Sequence, residues 1–408
     1  MRRIAGKYYK RVLALILTVQ AICLCCISSA CSTAQAQSSI EPVVLDIEEL
    51  SGDNSSLESY SRWLNTKYSS NIYNRADWLR SVMLSLGVDV SSIGTEDYQT
   101  LFRTAYGQGL ITDAIARPYP ALTRAYAAST IVRALSYEQH DVDDITDADK
   151  GSDLMTLVYY GYFLPDDDGR IYPDAVVTAE EYSALLTQIQ RYVRLKGKRL
   201  LAFGDSIMRG MANFDCGICE LIAEKYGMSF KNYAVSGATF GTEEEHSHIP
   251  DQIKESNTNG DEADIILIDG GTNDMRMLPL GRIASGYQLD KKAESTFCGG
   301  MEYSLALIKR FWSDVPVVYI RAHDMDCCDD VTEQLFGRYA LAIARKWSAD
   351  VVDIYEDTSF DTEVEELSYR YTGCPPKTKK GDSVHPTALG YAKYYLPLIG
   401  NKVDEILS

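Results

Sequence analysis

From residue 199 onward, short apolar runs alternate with stretches whose apolar positions recur every three or four residues. Runs of four to six apolar residues suit buried strands, and the longer spacing suits helices lying on them. The runs predict strands over 199–203, 230–235, 264–269, 317–321 and 351–354. The third contains Ile265-Ile266-Leu267-Ile268, an unbroken apolar string that fits a strand covered on both faces. Helices are predicted over 208–226, briefly after Pro250, over 297–312 and 333–347, and after Thr387, which caps the last. A polar, acidic loop covers 241–263. Strands and helices in strict alternation predict an α/β domain with a parallel sheet.

The upstream half has a different rhythm. Three segments, opening at Asn74, Thr123 and Thr178, each begin with a capping residue and continue with apolar positions at helical spacing, about 50 residues apart. A Gly-containing turn and a short extended stretch precede the third, from Gly161 to Ala175, and more loosely the second. A mostly α-helical repeat domain over 70–192 follows from this pattern. Asp166-Asp167-Asp168-Gly169 opens like a calcium loop but lacks its remaining ligand positions, so it reads as a turn. Residues 32–69, rich in Ser, Asp, Glu and Asn, read as a linker. Residues 1–31 have the order of an export signal: Arg2, Arg3, Lys7, Lys10 and Arg11, then an apolar run over 12–27, then Ser28, Ser29, Ala30 and Cys31. A retained membrane anchor is the alternative, although the run falls short of the ~20 residues a span needs. Ser29-Ala30-Cys31 resembles a lipobox, which would leave a lipid anchor at Cys31, and Ala34-Gln35-Ala36 offers an ordinary cleavage site instead.

The net charge of −18 argues against nucleic acid and anionic membrane surfaces as partners. Six cysteines lie beyond the export signal, Cys216, Cys219, Cys298, Cys327, Cys328 and Cys374. In an exported chain they suit disulfides or buried thiols; no second pair completes a zinc site with Cys216 and Cys219.

Unusual residues stand where strands end. Strand 199–203 runs into Gly204-Asp205-Ser206, the second into Val235-Ser236-Gly237-Ala238-Thr239, and the third into Gly271-Thr272-Asn273-Asp274. Asp382-Ser383-Val384-His385-Pro386 opens the last helix. In an open parallel sheet the carboxyl ends of strands form one edge, so these blocks can meet there. Their identity and order resemble the SGNH (GDSL-type) hydrolases over 197–408. That resemblance implies a flavodoxin-like three-layer α/β/α domain needing no metal or cofactor. It makes Ser206 the nucleophile, His385 the base and Asp382 the acid that orients it. It assigns the oxyanion to the Ser206 and Gly237 backbone N–H groups and the Asn273 amide. Gly lets the backbone approach closely, and Asn is a neutral donor where Asp could not be one. Asp205 reads as structural, and His246, His248 and His323 as non-catalytic. The lipase elbow Gly-x-Ser-x-Gly is absent, since Met208 fills its last position.

The upstream segments resemble S-layer homology repeats, with Thr123-Arg124-Ala125 kept and Ala179 in place of Arg in the third. That implies anchoring to anionic secondary cell-wall polymer, with Arg75 and Arg124 as contacts; a packing module with local ion pairs is the alternative. Together the resemblances imply a secreted, cell-envelope-associated serine esterase acting on short acyl, chiefly acetyl, esters of a small molecule or glycan. An O-acyltransferase with the same triad and a wall-binding scaffold with an inactive hydrolase domain are the competing expectations.

Overall fold

The computed structural model describes residues 73–242, 246–287, 291–373 and 381–408. The expected export signal, the linker, residues 70–72 and Cys374 lie outside them.

Five strands form one sheet: β1 Arg199–Phe203, β2 Ser229–Asn232, β3 Ile265–Asp269, β4 Val317–Arg321 and β5 Asp350–Asp353. Their order is β2-β1-β3-β4-β5 and every pairing is parallel. Side chains alternate between faces along a strand. Leu200, Ala202, Ile265, Leu267 and Val318 thus point into one hydrophobic cluster, with Leu221, Ile222, Ile399 and Val403 from helices Ile218–Tyr226 and Leu396–Leu407. Leu201, Phe203, Ile266, Ile268 and Tyr319 point into another, with Ile253, Met301, Leu305, Ile308 and Ile343 from helices Ile249–Thr258, Phe297–Phe311 and Asp330–Lys346. Two cores separated by a sheet make the expected three-layer α/β/α fold. The chain order reverses between β1 and β3, which opens a crevice at their carboxyl ends.

Several predicted elements differ in their bounds. The helix expected over 208–226 is two, Ser206–Arg209 and Ile218–Tyr226. Gly210 ends the first at φ 85°, and a side chain there would collide with Gly217. Phe214 and Asp215 between them also adopt positive φ. β2 stops at Asn232, whose side chain takes the Ala234 N–H (3.0 Å) and donates to Glu220 (2.9 Å), turning the chain. β5 begins and ends one residue earlier than its apolar run.

The upstream half contributes helices Arg75–Ser85, Tyr98–Gly107, Arg124–Leu135, Asp153–Tyr159 and Ala179–Leu195. Asn74, Thr123 and Thr178 cap three of them, accepting from Asp77, Tyr126 and Glu181 N–H groups. The extended residues before the caps pair in turn, Leu122 N–H with the Tyr73 carbonyl and Val177 N–H with that of Leu122. Trp78, Ile131, Leu157 and Ile189 belong to the same cluster as the Leu200 face of the sheet. Buried polar groups cross this contact. Lys225 donates to the Tyr160 carbonyl (2.7 Å), and burial lowers its pKa to about 7. Arg191 reaches Asp404 (3.1 Å), Asn401 (2.9 Å) and the Tyr226 hydroxyl (3.3 Å). Leaving such a group unpartnered costs about 1–3 kcal/mol, more if charged. No helix among the described residues is long and apolar enough to cross a membrane. Cys216, Cys219, Cys298, Cys327 and Cys328 are free thiols.

Candidate active site

At the end of β1 the chain is held from three sides. Gln252 accepts from the Gly204 N–H and donates to the Gly204 carbonyl, both at 2.9 Å. Gly204 has no alternative, since a Cβ would overlap the Asp269 carboxylate. Asp205 donates its N–H to Asp269 (3.0 Å) and accepts the Ile207 N–H (2.9 Å), capping helix Ser206–Arg209. Ser206 therefore opens a helix at the sheet edge, only 5% exposed.

His385 Nε2 lies 2.8 Å from Ser206 Oγ, and its Nδ1 lies 2.5 Å from Asp382 Oδ2. The three-residue spacing makes this pairing local. Asp382 Oδ1 accepts the backbone N–H groups of Val384 (3.1 Å) and His385 (2.9 Å), which leaves Oδ2 for the ring. A carboxylate on Nδ1 fixes the proton there and turns the Nε2 lone pair to the serine hydroxyl. Ser383 turns the chain at φ 63° and is tied at every polar group. Its N–H donates to Thr372 (3.1 Å), its carbonyl accepts from Thr362 (2.8 Å), and its hydroxyl meets Ser368 (2.9 Å).

Across the crevice, Gly237 has φ 83° with open space where a side chain would be. The Asn273 amide donates to the neighbouring Ala238 carbonyl (2.9 Å) and stands 3.5 Å from Asp205 Oδ2. Asp274 accepts the Phe240 (3.0 Å) and Gly241 (2.9 Å) N–H groups, pinning the segment that follows Gly237. The structure thus brings Ser206, His385 and Asp382 into one relay and sets Asn273 against the Gly237-Ala238 segment.

Sequence reasoning missed Gln252, Asp269 and Asp274. Asp269 carried a signal, an acid closing an otherwise apolar strand. Gln252 carried none, because its partner is 48 residues away. Asp205, Asp269 and Asp274 form a buried acidic group beneath the nucleophile. Burial raises Asp205 to about 6, against the Ile207 N–H and the His385 charge, and Asp274 to about 7, against its two N–H donors. Asp269 rises well above the ordinary value by burial and the charge of Asp205.

A carboxyl raised in the fold keeps a proton that the unfolded chain has already released. Its stabilising contribution is complete below the unfolded pKa, about 3.9, and is lost as pH rises through the folded value. For Asp274 that window runs from about pH 4 to pH 7. The Tm difference between native protein and Asp274→Asn should therefore move in the variant's favour across this range. A pH-independent difference would contradict the raised value.

The remaining histidines lie outside the relay. His248 Nδ1 stands 3.3 Å from the Thr239 hydroxyl. His323 is fully buried, stacked on Phe360 (4.1 Å), with Nδ1 2.7 Å from the Tyr395 hydroxyl, and burial pushes its pKa down to about 3. Among the described residues no cluster of three His, Cys, Asp or Glu could hold a metal.

Arg75 and Arg124 open two of the upstream helices. Arg124 pairs with Glu181 (3.0 and 2.5 Å) and donates to the Ile171 carbonyl (2.8 Å). Arg75 lies over the Tyr126 ring at 4.3 Å. A groove of about 700 Å³ in the helical half is lined by Asp147, Asp149, Asp153 and Asp174, a charge that opposes an anionic polymer.

The GDSL-like Lipase/Acylhydrolase family model matches residues 202–393, which include Ser206, Gly237, Asn273, Asp382 and His385. Over that stretch the chain is similar to this family. No curated protein sequence matches the chain. Similar solved structures include a protein from Lactobacillus plantarum (19% identity, TM-score 0.39, 52% of this chain and 97% of that one). Others are a "possible lipase" from Chitinophaga pinensis (18%, TM-score 0.39, 52% and 100%) and a carbohydrate acetylesterase family member from Sinorhizobium meliloti (13%, TM-score 0.36, 52% and 99%).

Proposed function

We propose that this chain is a serine esterase that hydrolyses short acyl esters, acetyl foremost, on a glycan or small alcohol at the cell envelope. The relay from Ser206 through His385 to Asp382 carries this assignment. Ser206 Oγ attacks the ester carbonyl as its proton passes to His385 Nε2, and Asp382 stabilises the imidazolium. The carbonyl oxygen gathers charge toward the Ser206 and Gly237 N–H groups and the Asn273 amide. His385 then returns the proton to the leaving alcohol, and water releases the acid from Ser206 by the same steps in reverse. The short acyl group is the expectation that the resemblance to the SGNH hydrolases carries. The envelope location is supported by the basic, apolar, then small-residue order of residues 2–31.

The test is a chain-length series of aryl esters with parallel mass analysis of fluorophosphonate labelling. Label on Ser206 and turnover falling from acetate to octanoate are expected. No label and no turnover would remove the assignment; a preference for octanoate would remove the short-acyl part. Transfer to sugar hydroxyls exceeding hydrolysis would make the enzyme an acyltransferase.

A further inference from the structure

We propose that the helical half serves the reaction as a brace for the Asp382–His385 turn, with Arg370 as the positioning residue that transmits it. This rests on the serine-esterase assignment above. The turn is bonded mainly outward. Ser383 is held by Thr372 and Ser368, the His385 carbonyl accepts from Gly373 N–H (3.0 Å), and Thr387 N–H donates to the Tyr371 carbonyl (2.8 Å). All of these partners sit on or just after helix Glu365–Tyr371. That helix has seven residues and no side-chain cap at its start, so it cannot be rigid by itself.

Arg370 ties it to the helical half. Its guanidinium, 15% exposed, donates to the Asp166 carbonyl and to Asp167 Oδ1 (3.1 Å). The receiving turn is stiff. Asp166 Oδ1 accepts the Asp168 (3.0 Å) and Arg170 (2.9 Å) N–H groups, Tyr172 bonds its other oxygen, and the Gly169 carbonyl accepts from Thr146 N–H (2.9 Å). Just upstream, Gly161 packs so closely on the Ala392 carbonyl that a Cβ would stand 2.6 Å from it.

The same half also reaches the nucleophile's side. The Tyr159 hydroxyl donates to the Cys216 sulfur (3.0 Å) and accepts from Asn213 (3.4 Å), in the loop that follows helix Ser206–Arg209. One body therefore touches both the loop behind Ser206 and the support behind His385. The 2.8 Å between Ser206 and His385 depends on how those two supports are spaced, and proton transfer falls steeply as such geometry loosens.

An ordinary surface ion pair would act through Asp167, whose side chain is 99% exposed. Exposed pairs of that kind contribute little. Here the Asp166 backbone carbonyl is the anchor, so Arg370 should matter and Asp167 should not.

The full-length protein and the variants Arg370→Ala, Arg370→Lys and Asp167→Asn should be compared for kcat, KM, Tm and the rate of fluorophosphonate labelling of Ser206. Rates are normalised to titrated sites, which separates slower sites from fewer folded molecules. Arg370→Ala should lower kcat and the labelling rate by about tenfold, with KM changed less than about twofold. Arg370→Lys should recover most of that loss, and Asp167→Asn should stay near native. Equal per-site rates in Arg370→Ala, even with a lower Tm, would overturn the brace, as would a lysine variant no better than alanine. Native protein that labels at Ser206 but cleaves no ester would overturn the esterase assignment alone, because labelling still reports the brace. Native protein that neither labels nor turns over would overturn both.

Discussion

Alanine at Ser206 is expected to abolish ester hydrolysis, with a fall in kcat on the order of 10⁶-fold. The hydroxyl lies 2.8 Å from His385 Nε2. Without it the imidazole has no proton to take and the acyl group no oxygen to join. Water could at best be activated in its place, without a covalent intermediate. The fold should be untouched, because the Oγ has no bond to the sheet edge that Gly204, Asp205 and Gln252 do not already secure. Kinetics with an aryl acetate, alongside a thermal melt, separates the two effects. His385→Ala should cost about as much, and the double variant little more, because the pair acts as a unit. A Ser206→Ala protein with native turnover would remove the serine mechanism altogether.

Asn273→Ala carries the next largest effect, a loss of about 10²–10³ in kcat with KM little changed. Its amide meets charge on the substrate only as the tetrahedral intermediate forms, so the ground state loses little. The side chain is already oriented by Ala238 and lies beside Asp205. Asn273→Asp should be worse than alanine, although nearly isosteric. It would add a charge beside Asp205, Asp269 and Asp274 and aim a lone pair at the oxyanion. Parallel kcat and KM measurements on the two variants decide it; an Asp variant as active as native would place the oxyanion elsewhere.

The parts legible in the sequence are those with short-range causes. Apolar runs marked β1, β3 and β4 most closely, because a strand buried on both faces needs little else. The caps Asn74, Thr123 and Thr178 were visible because a cap and the N–H it accepts from lie within one turn. Asp382 and His385 were readable as a pair for the same reason. What escaped was long-range. The break between Arg209 and Ile218 follows from Gly210 meeting Gly217 across a folded loop, and helical spacing cannot show that. Asp274 looked like a turn residue until Phe240 and Gly241 came to it from 34 and 33 residues away. The pairing of Arg124 with Glu181, 57 residues on, could not be read from spacing either.

Lys225, sealed beneath the Tyr160 carbonyl, also limits portability. The boundary that the sequence suggests, at Gly197, is where an engineer would cut to obtain a minimal catalyst. That cut would strip the cover from a buried amine, from Arg191's partners Asp404 and Asn401, and from the Leu200 face of the sheet. The smallest transplantable unit therefore starts upstream of Arg124, and grafts that begin at the first strand should be insoluble before they are inactive.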